Sequence, residues 1–228
     1  MGVGRAGRIA GGLAGAVVLV LVLAQLLLPG IAASRVRARV EKYGTVKSVT
    51  VKAWPAVELL WGKAESVDVK AGSLRLSKAQ TAKLLREAHG VTSIRASAES
   101  VKEGPLQLYE ASLQKHGDAL AGTAWASRAD VKAALGEGLE VQLLRSGGGR
   151  VQIGVEGGLF GVKASVEAVA EAQEGKVVVH PLGFLFEGLK LTLFAESHVY
   201  VEGVGASAAP GPSGQGAGYR LSFRARLR

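Results

Sequence analysis

The stretch KAWPAVELLWGKAESVDVKAG, residues 52–72, decides how the chain is read. On either side of its centre, TVKSVTVK (45–52) and SVDVKAG (66–72) alternate apolar and polar residues. That is the pattern of half-buried strands, whose successive side chains point to opposite faces. A connection between two strands is expected to be polar. This one carries Trp54, Val57, Leu59, Leu60 and Trp61, which include two of the three tryptophans in the chain. Pro55 suits the first turn of a helix and Gly62 its end, so the spacing predicts about two helical turns over 55–61. Tryptophan joins a large apolar body to one N–H donor, which suits a membrane interface. The segment is expected to form one mouth of an apolar groove; the plainer reading is a cover over the open face of a sheet, with both tryptophans buried.

Working outward, further strands are predicted over 73–76, 91–101 and 119–126, and a helix over 77–90, opened by Ser77 with Gln80 and closed by Gly90. Residues 102–118 hold turns at Gly104–Pro105 and Gly117–Asp118. A short helix follows over 127–136, with Ser127 and Asp130 at its start and Gly136 at its end. GLEVQLLR and RVQIGVEG flank SGGG (146–149), a hairpin signal. The run 161–173 places Val162, Ala164, Val166, Ala168 and Ala170 on one face, and 174–181 is the returning strand. Strands over 188–195 and 198–204 come next, then a Gly/Pro/Ser stretch, 206–218, read as a flexible loop. The closing YRLSFRARLR sets Tyr219, Leu221, Phe223, Ala225 and Leu227 opposite Arg220, Arg224, Arg226 and Arg228. The pattern describes a mainly β, α+β domain: a mostly antiparallel sheet of long strands with one apolar face and two or three short helices. Aromatics are only 5% of a chain that is 48% hydrophobic, so that face is built from Ala, Val and Leu. Small side chains on a long sheet leave volume that close packing does not tolerate. Either a helix or a lipid acyl chain must fill it.

Residues 1–34 are read as a signal-anchor, or alternatively a cleaved signal peptide, and 35–228 as the folded domain. Arg5 and Arg8 precede a charge-free run from Ile9 to Leu28, long enough for a hydrophobic, membrane-spanning helix. Arg35, Arg37, Arg39 and Lys42 follow it, a balance that by charge alone would hold the C-terminal side in the cytoplasm. Gly7, Gly11 and Gly15 form a small-residue row that can pack two such helices, although small residues scattered through a signal sequence explain it as well. The net charge is +9, and because residues 1–34 contain no acid, removing Arg5 and Arg8 leaves +7 on the domain. Such a surface suits anionic lipid; nucleic acid is disfavoured, since no aromatics interleave with basic clusters.

No reaction centre emerges. There is no cysteine. His89, His116, His180 and His198 lie in separate segments without metal-ligand spacing, and Glu65 with Asp68 lacks a third ligand. GPSG at 211–214 lies in the Gly/Pro stretch and makes no nucleophile elbow, and no phosphate-binding loop is present. The chain is expected to be no enzyme and to need no cofactor or metal.

Three stretches resemble the LmeA-like phospholipid-binding proteins of bacterial cell envelopes. WPAVELLWGKAESVDVKA (54–71) is similar to their aromatic-Pro, Leu-x-x-Gly, Val-x-Val pattern; GTAWASRADVKAALG (122–136) to their strand running into a short helix; and GRVQIGVEGGLFGVKASVEAVAEAQEGKVVVHPLG (149–183) to their glycine-punctuated hairpins. The likeness runs over residues 5–183, and the arginine-rich last strand departs from it. It implies a long curved antiparallel sheet wrapped around a few short helices. It also implies an extracytoplasmic envelope protein, tethered or secreted, that holds phospholipid in an apolar groove. On that reading the lipid-binding residues are Trp54, Val57, Leu59, Leu60, Trp61, Phe160, Val162 and Val166. Arg220, Arg224, Arg226 and Arg228 would contact headgroups or the membrane, favouring anionic lipid. The alternative is a membrane-anchored interaction module with no lipid ligand, its protein partners open.

Overall fold

A computed structural model describes residues 3–135, 139–159, 162–183, 190–212 and 215–228; side chains are left out of the description for 3–21, 78, 135, 139, 158–159 and 162–164. Helix α1, Val3–Val40, leads into β1, Gly44–Lys52. A short 3₁₀ helix, Ala56–Trp61, connects β1 to β2, Ala64–Leu76. Next come α2, Lys78–Glu87, and β3, Val91–Glu103. Then follow β4, Leu106–His116, β5, Ala119–Ser127, and α3, Arg128–Leu135. The second half holds β6, Leu139–Gly147, β7, Arg150–Leu159, β8, Val162–Gln173, and β9, Lys176–Pro181. It ends with β10, Leu191–Phe194, β11, Val199–Pro210, and β12, Ala217–Leu227.

These strands build two sheets. Seven run in the order β1-β2-β3-β4-β5-β12-β11 and five in the order β10-β9-β8-β7-β6. The mainly β character matches expectation, with two departures: the strands divide into two sheets rather than one, and β2 and β3 pair in parallel. Parallel neighbours need a crossover, and α2 supplies it. Its start is the capping box seen in the sequence, with the Gln80 amide donating to Ser77 Oγ at 3.3 Å and the Ser77 amide donating to Gln80 Oε1 at 2.8 Å. Its end differs, because Ala88 caps the helix in a right-handed conformation and Gly90 falls in a following 3₁₀ turn. The start of α3 is as predicted, with the Asp130 amide donating to Ser127 Oγ at 2.9 Å.

Leu120, Val199, Val201, Ala225 and Leu227 form the central core cluster. Leu85 and Ala88 pack on it from the α2 side, and Ala172, Val177 and Phe194 from the second sheet. The two sheets also meet through the backbone. The amides of Val201 and Val204 on β11 donate to Gly175 O at 2.9 Å and Gly149 O at 3.0 Å, and the Ala206 amide to Ser146 Oγ at 3.0 Å. Gly149 and Gly175 each close a two-residue hairpin in the left-handed region, at φ 79° and 78°. Such turns match the twist of the strands they join.

The Gly/Pro stretch corrects the sequence reading. Residues 206–210 and 217–218 are strand, paired from Ala206↔Leu221 to Pro210↔Ala217. This end of the hairpin closes over Trp125, which is 0% exposed and donates Nε1–H to Ala209 O at 3.3 Å. A Cβ at Gly218 or Gly211 would lie 2.4 or 2.8 Å from Trp125 Cζ2, so the glycines are there to admit the indole.

The expected spanning anchor is not met: among the described residues no helix is long and apolar enough to cross a membrane.

Candidate functional site

The segment singled out in the sequence docks on α1. Pro55 is extended, at φ −70° and ψ 151°, and Gly62 closes the 3₁₀ helix at φ 72° and ψ 14°. The Gln25 side chain brackets the loop: its Oε1 accepts from the Ala56 amide at 2.7 Å, and its Nε2 donates to Ala53 O at 3.3 Å. Ala53 and Ala56 are buried there, small enough for the loop backbone to reach an amide side chain on the helix. The large side chains consequently turn outward. Trp54, Leu60 and Trp61 are 75%, 69% and 72% exposed, while Val57 and Leu59 are half-buried. The reading in which both tryptophans are buried is thus overturned. On the α1 turns around Gln25, Val22, Leu23, Leu26, Leu27 and Ile31 are also exposed. Solvent-facing apolar groups gathered in this way mark an interaction surface.

An apolar row crosses the first sheet. Strand register aligns Val49, Val69, Ala96, Leu113, Gly122, Phe223 and Val204. All but Gly122 are half-buried. One neighbouring row, from Val51 and Val67 through Leu120 to Val201, is well covered. The other runs from Val46 through Ala71, Ala98 and Ala111, with Ala124 and Leu221 paired on β5 and β12. Buried alanines thus lie beside a half-covered strip of valine, leucine and phenylalanine on one face of the sheet.

One charge interrupts this inner face. Lys115 is aligned with Ile94 and Leu120, is 5% exposed, and donates Nζ–H to Val91 O. Burial pushes its ammonium below the ordinary value of 10.5, opposed by the charge of Asp118. The unfolded chain therefore keeps this proton to higher pH than the folded one. Stability is expected to rise as pH climbs through the lowered folded value toward 10.5. Comparing urea midpoints of the natural chain and Lys115→Met across that interval isolates the effect; parallel pH curves would contradict it.

The other candidates lie elsewhere. Val166 sits half-buried on β8 of the second sheet, beyond β11, whereas the tryptophan loop follows β1 at the opposite end of the strand order. The structure does not bring them together. Val162 lies on β8 with its side chain outside the description, and Phe160 is outside the described residues. The three β12 arginines and Arg228 just after them are exposed, but alternation puts the arginine face of β12 on the opposite side of the sheet from the apolar row. Three are engaged: Arg220 with Glu110 at 3.4 Å, Arg226 with Glu202 at 2.6 Å, and Arg228 stacked 3.9 Å from the centre of the Tyr200 ring. Two open clefts of about 330 and 350 Å³ lie on this sheet, the second lined also by Ser146, Gly147 and Gly149 of the β6–β7 hairpin; Arg224 and Ala121 line both, and no residue of 54–61 lines either.

His89 and His198, far apart in sequence, meet edge to face at 6.3 Å, and His89 Nε2 lies 2.9 Å from Arg228 O, tying the end of α2 to the end of β12. Among the described residues no cluster of three or more metal-ligating side chains forms. No family model, curated protein or solved structure matches the chain.

Proposed function

We propose that this is an extracytoplasmic phospholipid-binding protein of the cell envelope, without enzymatic activity, acting in lipid transport or envelope maintenance. The observation that carries the reading is the half-covered apolar row from Val49 to Val204, on a sheet whose first connection presents Trp54, Leu60 and Trp61 to solvent. In this reading the loop touches the bilayer surface and the row receives an acyl chain. Each CH₂ taken from water contributes roughly 0.8 kcal/mol. The resemblance to LmeA-like proteins, with their curved sheet around short helices, agrees with this use of the apolar face.

Native mass spectrometry of the purified chain, with chloroform extraction, tests the proposal. Co-purifying phospholipid is expected, and Ala96→Phe, which puts a ring into the row, is expected to lower the lipid-to-protein ratio severalfold while circular dichroism stays unchanged. Val69→Phe serves as a second filling variant. An extract free of phospholipid sinks the proposal. The exposed leucines of α1 favour one competing reading, an interaction module whose apolar surface docks another envelope protein and carries no lipid. A lipid-free extract would point there.

A further inference from the structure

The arginine face offers something different from the apolar row. Arg224 alone among the four exposed arginines of the last strand and its end has no ion-pair or aromatic partner among the described residues. Register places it in one transverse line with Ala121, Gln114 and Arg95, all exposed. Arg95 is also without an ion pair among the described residues, although Asp68 is its register neighbour on β2. β3 and β12 are three strand spacings apart, which sets the two arginine Cα atoms about 14 Å from each other. Guanidinium groups leaning inward from both ends of the line would converge above Gln114 and Ala121. That is where the first cleft opens, its floor kept low by the methyl group of Ala121. Glu202, the carboxylate lining this cleft, is neutralised by Arg226. Ser222, Thr123 and the glycines at 203 and 205 line the adjoining cleft on the other side of Arg224, adding hydroxyl and backbone donors.

We propose that Arg95 and Arg224 form a two-ended clamp for an oxyanion of the phosphate class, seated over Gln114 and Ala121. The planar guanidinium fork matches such oxygens in pairs, and a charge-assisted pair is among the strong hydrogen bonds of proteins. Because the sheet separates this clamp from the apolar row, it is not the headgroup pocket of a lipid lying in that row.

Calorimetric titration of the full chain with inorganic phosphate, and separately with a short-chain soluble phosphatidic acid, tests the clamp. Arg224→Gln and Arg95→Gln are each expected to weaken binding about tenfold. Arg128→Gln, which removes the same charge from an exposed site on α3, should change it less than about twofold. Binding of both compounds identifies the oxyanion alone as the ligand, and binding only of the short-chain lipid identifies a headgroup; either outcome, with this pattern of losses, supports the clamp. No binding of either compound, or an equal loss in Arg128→Gln, overturns it. Ala96→Phe should leave phosphate binding intact, which keeps failure here separate from failure of the lipid proposal.

Discussion

Replacing Trp125 by alanine is expected to lower the unfolding free energy by about 3–5 kcal/mol, the range for emptying a fully buried indole site. For a domain near this size that corresponds to a fall of roughly 10 °C in melting temperature. The indole has no exposed surface, packs at 5.8 Å from the Tyr109 ring, and supplies the donor that holds Ala209 O. Collapse into the space is impeded because its walls are backbone: Gly211, Gly218 and the β12 strand leave little side chain to rearrange. Trp125→Phe retains most of the ring volume and loses the N–H, so it should cost less than half as much. Thermal unfolding followed by far-ultraviolet circular dichroism measures both variants. Equal melting temperatures for the natural chain and the alanine variant would show that 206–218 does not close over this site.

The other two tryptophans should behave in the opposite way. Trp54→Ala/Trp61→Ala is expected to leave stability within about 0.5 kcal/mol, as for exposed substitutions generally. Its effect is expected on vesicles. Each indole offers roughly 150 Å² of apolar area, worth up to about 4 kcal/mol if taken fully from water. Even partial insertion makes the joint loss exceed tenfold in affinity. Flotation with vesicles containing anionic phospholipid, alongside the shift in tryptophan emission on adding them, gives the measurement. A double variant that floats as well as the natural chain would remove the loop from membrane contact.

Much of this architecture is legible before folding. Alternation located β1, β3, β5, β8 and β12, and the glycines at 104, 117 and 148–149 marked the turns, because period and turn chemistry are local properties. Pairing direction is not local. β2, α2 and β3 were each visible, yet the alternation inside a strand is the same whether its neighbour runs parallel or antiparallel. The segment 206–218 was misread for a related reason. Alanine, serine and glycine carry almost no period-two signal, and the need for small residues comes from Trp125, about ninety positions away in the chain. The site divides likewise. The Ala/Val face could be foreseen, whereas the register that lines up Val49 with Phe223 could not. Nor could the pairing of Arg220 and Arg226 with glutamates on β4 and β11, which singles out Arg224. The outward turn of Trp54 and Trp61 depended on Gln25, a residue that composition treats as one more uncharged position in an apolar run.

The junction between the two sheets bears on self-association. A strand at the end of a sheet offers unpaired amides, and those amides can template the addition of another molecule. On β11 the amides of Val201, Val204 and Ala206 are already occupied by the carbonyls of two hairpin turns and by a serine hydroxyl. The second sheet thereby acts as a built-in stopper for the first, and does so largely with turn tips.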